Sequence, residues 1–409
     1  MTPYADLSYF LFILCIVCPM MIAGARGHAG WRWTALATVV MLAVQYTTPL
    51  QIVPGLVVWE LAALVSFGIY LFALVKLALK KIIPKKSALL VPLGLLPLVI
   101  AKYLPLGMHD FHFGFAGISY VTFRALDVLW MITDGVLVEV GLLDLLVFLF
   151  FFPTISSGPI DRFRRFKKEW RTPRSAEKFW DDLDAGVHLI FRGLLYKFVI
   201  ATVIDRQLVE HVQKTPGLLG AVEYAYAWSA YLFFDFAGYS AFAIGVGRWF
   251  GITSPDNFNK PFAAQNIRDF WNRWHMSLSF WFRDHVYTRF LLTAVKGKWF
   301  KKRETPANVG YFVSFGLMGL WHGLTWYYIL YGIYYAVIFN IFDAFTRWKK
   351  KNPSRLASPR WKWAAHVLTI QCVVFGFWLF SGNGWITQEK SLKMHHDAEA
   401  KLLQQEIVK

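Results

Sequence analysis

Residues 56–79 read LVVWELAALVSFGIYLFALVKLAL, and residues 80–86 read KKIIPKK. As a helix the first string is about 36 Å long at 1.5 Å per residue, enough to cross the hydrocarbon of a bilayer. Its only charges are Glu60 and Lys76. Its apolar character is continuous, whereas a barrel strand would alternate apolar and polar residues. The lysines that end it read as a cytoplasmic flank.

This pattern recurs along the chain. Of 409 residues, 56% are hydrophobic, 18% aromatic and only 17% charged, against about 25% charged in a typical soluble domain. Mean hydropathy is +0.40. A soluble globular enzyme, a disordered chain and a small secreted scaffold are excluded. The expected fold is an all-α polytopic membrane protein, with about 11 transmembrane or half-crossing helices enclosing a central cavity or tunnel. Residues 1–385 read as one integral-membrane domain and 386–409 as a polar tail.

The chain carries 43 basic and 26 acidic residues, net +17. In a soluble protein that balance would suggest nucleic acid. In a membrane protein positive-inside bias accounts for much of it, and no nucleic-acid partner is expected. Four basic clusters stand out: Lys76 to Lys86, Arg162 to Arg174, Lys296 to Arg303, and Arg347 to Lys362. All are expected on the cytoplasmic side. Spans at 7–25, 33–50, 56–79 and 88–104 satisfy that rule with the N-terminus outside. They lead to an outer loop holding His109, Asp110 and His112. Residues 7–25 lack a basic leader region and read as a retained span. Cys15, Cys18 and Cys372 lie in apolar runs and read as membrane packing.

Parity then fails twice. The stretches 113–132 and 140–155 would return the chain to the wrong side, and so would 277–295. Half-crossing helices resolve the conflict, because irregular backbone at membrane depth survives where protein or a wet cavity covers it. Further spans read as 185–204, 221–249, a broken pair 309–322 and 325–345, and 363–381.

Four motifs carry possible chemistry. In Arg268-Asp-Phe-Trp-Asn-Arg-Trp-His275-Met-Ser-Leu-Ser-Phe-Trp-Phe-Arg283-Asp284, a continuous helix would put Arg268, Asn272, His275, Ser279 and Arg283 on one face. That polar stripe either lines a cavity or belongs to an interfacial helix. In Gly316-Leu-Met-Gly319-Leu-Trp321-His322-Gly323, the glycines permit close helix approach. They leave His322 as an ionisable group at a helix break, suited to act as general base. Tyr231, Asp235 and Tyr239 share a third face, where Asp235 needs a partner, a tyrosine or an arginine. Ser156-Ser157-Gly158-Pro159-Ile160-Asp161-Arg162-Phe163 reads as a sharp turn with a local Asp161–Arg162 pair. Phosphate-loop, nucleophile-elbow and metal-site signatures are absent, and His395-His396 reads as solvated.

These four motifs, in this order, resemble the membrane-bound O-acyltransferase family over about residues 1–385. Within it the chain is most similar to the branch that D-alanylates Gram-positive teichoic acids. The alginate-type O-acetyltransferase branch usually continues after Arg-Asp with Pro-Leu-Gly-Gly. Here the chain reads Arg283-Asp284-His285-Val286-Tyr287. The resemblance implies transfer of D-alanine from the phosphopantetheine thioester of a small acidic cytosolic carrier protein. The acyl group goes to lipoteichoic acid hydroxyls, directly or through a partner membrane protein. The chain itself would bind no cofactor and no metal. His322 matches the family's catalytic histidine and His275 its second functional one. Asn272, Ser279, Arg283, Trp321, Asp235 and Tyr239 are candidate cavity-lining residues. Leu291, Leu292, Lys296, Lys298, Lys301, Lys302 and Arg303 are candidates for carrier docking, with apolar contact for affinity and charge for steering. The competing readings are acetyl transfer to an exported polysaccharide and a transporter or flippase.

Overall fold

The computed structural model describes residues 3–5, 7–26, 30–47, 56–83, 89–104, 114–212, 217–352 and 359–382. His109, Asp110 and His112, expected in an outer loop, and the tail with His395 and His396 lie outside them.

The chain forms α1 Leu7–Ala25, α2 Trp31–Thr47, α3 Leu56–Leu79, α4 Leu90–Tyr103, α5 Ile118–Thr133, α6 Leu142–Phe150, α7 Phe163–Arg171 and α8 Ala176–Gly193. The helical path then continues through π-helical Leu194–Ala201, α9 Thr202–Ile204, π-helical Asp205–Val209 and α10 Glu210–Val212. The second half holds α11 Gly217–Trp249, α12 Ile267–Trp271, α13 Met276–Phe282, π-helical Arg283–Tyr287 and α14 Thr288–Lys296. It ends with α15 Thr305–His322, α16 Trp326–Lys351 and α17 Pro359–Ser381. No strand forms among the described residues; Phe258 and Trp274 make one isolated antiparallel bridge.

The chain is therefore an all-α polytopic membrane protein. Among the described residues, five helices are long and apolar enough to cross a bilayer: Glu60–Leu79, Ala176–Val209, Gly217–Trp249, Trp326–Lys351 and Arg360–Ser381. Their outward faces carry residues such as Ile69, Val203, Leu219, Ile341 and Leu368, exposed as lipid-facing side chains are. The exposed Cys15 and Cys18 on α1 share that character. At the first parity failure, α5 has 16 residues and α6 only nine, short of the roughly 20 a full crossing needs. At the second, the run Met276–Lys296 carries Arg283, Asp284 and Arg289 and is not among the five apolar helices.

Two compact units emerge. The first comprises residues 1–194 and 238–256, the second 195–237 and 257–409. In the first, buried charges tie loops to helices. Arg124 donates to the carbonyls of Phe148, Leu149, Thr154 and Pro159. The expected Asp161–Arg162 contact runs through the backbone, the Arg162 amide donating to Asp161 Oδ1 at 2.6 Å, while the side chains also reach further. Arg162 Nη1 lies 3.0 Å from Asp127 Oδ1, while Asp161 pairs with Arg165 one turn on. Neighbours in sequence point apart at a turn, so each charge finds its partner elsewhere.

In the second unit, the glycines of α15 work as their spacing suggests. A Cβ on Gly319 would lie 2.4 Å from the Tyr328 carbonyl oxygen, and one on Gly332 would lie 2.5 Å from the Phe315 carbonyl oxygen. Helices α15 and α16 thus touch backbone to backbone. Gly319→Ala is expected to force them apart and cost about 1–3 kcal/mol, the range for overpacking. Gly316→Ala, with nothing within 4 Å of the added carbon, is the matched control and should be near neutral. Thermal unfolding in detergent reads both.

Candidate active site

The stretch 268–283 is not one helix. Asn266 caps α12 by accepting from the Asp269 amide. The helix stops at Trp271, and His275 sits in the left-handed region at φ 42° before α13 begins. Long-range contacts impose the break. Met276 donates its amide to the Asn257 carbonyl at 2.9 Å, Asn259 donates to the Arg273 carbonyl at 3.0 Å, and Ser277 Oγ bonds Asn257 Oδ1 at 2.6 Å. The expected stripe is accordingly split. Arg268, Asn272, Ser279 and Arg283 line one cavity, and His275 is buried outside its lining.

That cavity has a volume of about 380 Å³, within the usual range for small-molecule sites. Its opposite wall is α15, which contributes Tyr311, Ser314, Phe315 and Met318. Those positions recur at helical spacing, and the next position on the same face is His322. At 1.5 Å per residue, Tyr311 and His322 are about 16 Å apart along the helix. The Tyr311 end is polar. Arg268 pairs with Asp343, the Tyr311 hydroxyl donates to Asp343 Oδ2 at 2.9 Å, and Tyr287 stacks on Tyr311 at 4.8 Å.

His322 is half-buried at the C-terminus of α15. Around its ring stand Trp321 at 4.5 Å, Phe380 at 4.8 Å, Tyr328 at 5.6 Å and Tyr331 at 6.1 Å between centroids. His275, in the bend between α12 and α13 and outside every spanning helix, is only 6% exposed. Its ring meets the edge of Phe236 at 4.7 Å. Burial first, and the neighbouring His322 second, push its pKa down to about 3, because the charged form loses hydration and meets a potential like charge. His275 is thus a neutral imidazole within electrostatic reach of His322, and its Nε2 has no hydrogen-bond partner among the described residues.

The other sequence candidates fall in different places. Trp321 packs on His322. Asp235 pairs with Lys197, within the π-helical run, and lies in electrostatic contact with Tyr231. Tyr239 bonds Ser156 Oγ and the Ser157 amide, holding the 156–159 turn of the first unit. Neither Asp235 nor Tyr239 lines the cavity. On α14, Leu291 is half-buried and Leu292 is 64% exposed, and Lys296, Lys298, Lys301, Lys302 and Arg303 are all exposed. Two residues that sequence reading passed over complete this surface: Val295 and Trp299, the latter 57% exposed. Val295 is three residues from Leu292 on α14, and Trp299 follows the helix end after left-handed Lys298, where helical spacing gives no signal. No group of three His, Cys, Asp or Glu side chains suited to a metal occurs among the described residues.

Polytopic helices, a cavity walled by α15, a histidine at the end of that helix and a second, buried histidine are the features of the candidate site. Residues 133–384 match the MBOAT, membrane-bound O-acyltransferase family, and the chain belongs to that family. It is 41% identical over 402 residues to the teichoic acid D-alanyltransferase of Bacillus subtilis (strain 168), covering 94% of this chain and 98% of that protein. It is 36% identical over 403 residues to the teichoic acid D-alanyltransferase of Lacticaseibacillus rhamnosus, covering 93% and 97%. Similarity to the probable alginate O-acetylase AlgI of Pseudomonas aeruginosa is 32% over 268 residues, 64% of this chain and 48% of that protein.

Proposed function

We propose that this enzyme takes D-alanine from the phosphopantetheine thioester of an acidic cytosolic carrier protein and passes it across the cell membrane for D-alanylation of (lipo)teichoic acid hydroxyls. The observation that carries the reading is the face of α15: Tyr311, Ser314 and Met318 wall the cavity, and His322 ends the line. A slender arm suits that volume better than a bulky cofactor. Names of relatives aligned over nearly the whole chain support D-alanine as the acyl group.

The chemistry follows from the residues. An acceptor hydroxyl gives its proton to the His322 imidazole as its oxygen attacks the thioester carbonyl. The C–S bond breaks, an ester forms, and the proton passes to the departing thiolate. Carbonyls at the C-terminal end of α15 stabilise the imidazolium in between. The aromatic ring cluster keeps water from competing for the thioester. His275, buried behind the cavity lining, acts on the site through its electrostatic coupling to His322 and its contact with Phe236. On this reading the N-terminus is outside and the basic clusters face the cytoplasm.

Purified protein in proteoliposomes, supplied with carrier bearing labelled D-alanine and with lipoteichoic acid, is expected to label the acceptor. Labelling only from an acetyl donor would support the polysaccharide reading, and D-alanine movement without ester formation would support a transporter.

The exposed Leu292–Val295–Trp299 face with its basic rim is the carrier dock on this reading. Leu292→Asp is expected to weaken carrier binding about thirtyfold, as loss of a buried hot spot does. Neutralising Lys298 and Lys302 should mainly slow association and flatten its salt dependence. Interferometry at two salt concentrations reads both. Unchanged affinity in a folded Leu292→Asp protein would remove this surface from the reading.

A further inference from the structure

From the groove between α7 and the loop after α5, we infer that the first unit holds a binding site for the headgroup of an anionic phospholipid. Helix α7 buries Phe163, Phe166 and Trp170 on one side. On the other, Arg164, Lys167, Lys168 and Arg171 line an open groove of about 490 Å³ with Met131, Val136, Leu137 and Phe163. The lining contains four basic side chains and no carboxylate.

Charge accounting shows what is missing. Asp144 serves Lys167 at 3.5 Å, Arg171 through Nε at 2.7 Å, and Trp170 Nε1 at 3.2 Å. It has nothing left for the exposed Arg164 and Lys168, which form no ion pair among the described residues. These two are four apart on one helix face, where like charges repel. An anion between them would remove that repulsion. Lys76 at the end of α3 donates to the carbonyl of Val140, three residues beyond the groove-lining Leu137, at 3.3 Å.

The neighbouring surface identifies the anion as a lipid. Val136 is 53% and Val138 71% exposed, and Leu142 and Leu143 at the start of α6 are exposed as well. A phosphate set against basic side chains with its acyl chains along an apolar surface is the arrangement an amphipathic interfacial helix offers.

Native mass spectrometry of the purified full chain with dioleoyl phosphatidylglycerol or dioleoyl phosphatidylcholine tests the site, with thermal melting as the fold control. Wild type is expected to retain the anionic lipid. Arg164→Gln combined with Lys168→Gln should lower that affinity about tenfold, without changing phosphatidylcholine binding or the melting temperature. If the double variant does not fold, Lys168→Gln alone, an exposed change, gives the same reading with a smaller drop. Undiminished phosphatidylglycerol binding in a folded variant overturns the inference. So does equal competition by glycerol 3-phosphate, which has no acyl chains. A variant that loses an acidic carrier protein yet keeps the lipid also overturns it and reassigns the groove to protein docking.

Discussion

His322→Ala is expected to reduce D-alanyl transfer from loaded carrier about a thousandfold or more while the protein inserts and folds normally. General-base assistance typically accounts for about 100- to 10,000-fold. His322 is the residue that follows the cavity along α15, and no other imidazole or carboxylate shares that face. Folding should survive because His322 is only half-buried at a helix end. The α15–α16 contact beside it is made by glycines and carbonyls. The measurement is single-turnover transfer from carrier, with the melting temperature as the fold control and carrier affinity measured separately. An intact affinity with a lost rate locates the defect in the chemical step. Turnover near wild type would sink the assignment of His322 as base. His275→Ala should also lower the rate, less steeply, because its buried ring supports the site from outside the cavity lining, against Phe236 and within electrostatic reach of His322.

Sequence patterning made the membrane helices legible because continuous apolar character is a local property. The span expected at 56–79 forms over those residues, and the break expected after 322 falls between His322 and Trp326. The glycine repeat likewise announced a close helix contact, although only the structure shows that α16 makes it. The polar stripe led to the cavity through Arg268, Asn272, Ser279 and Arg283 but missed the departure of His275, because its reading assumed uninterrupted helix. A non-glycine residue at positive φ is uncommon, and the contacts that impose it on His275 come from Asn257, nearly twenty residues upstream. The ion pair of Asp235 was missed similarly. Its partner Lys197 lies on another helix in a π-helical run, and π turns leave no periodic signal that a 3.6-residue pattern detects. Charge partners, unlike spans, are tertiary facts.

Arg124→Met is expected to cost about 3–5 kcal/mol of stability, the scale for stranding buried polar partners. Arg124 projects from α5, is 1% exposed, and caps a helix it does not belong to. The last four carbonyls of any α-helix lack intrahelical partners. In α6 two of these, Phe148 and Leu149, accept from Arg124 Nη1 at 3.2 and 3.1 Å. Nη2 donates to the Thr154 carbonyl at 2.7 Å, to the Thr154 hydroxyl, and to the Pro159 carbonyl at 3.4 Å. One guanidinium therefore joins the end of α6 to the turn that leads into α7. A positive group at that end also suits the α6 dipole. Methionine fills similar volume but donates nothing, so the carbonyls lose their partners where water does not reach. Arg124→Lys keeps the charge but concentrates its donors at one point, and should recover only part of the loss. Thermal and chemical unfolding of the purified variants in one detergent rank them as wild type, then lysine, then methionine. A methionine variant within about 1 kcal/mol of wild type, the net worth of a single hydrogen bond, would show that the α6 end is held by packing instead.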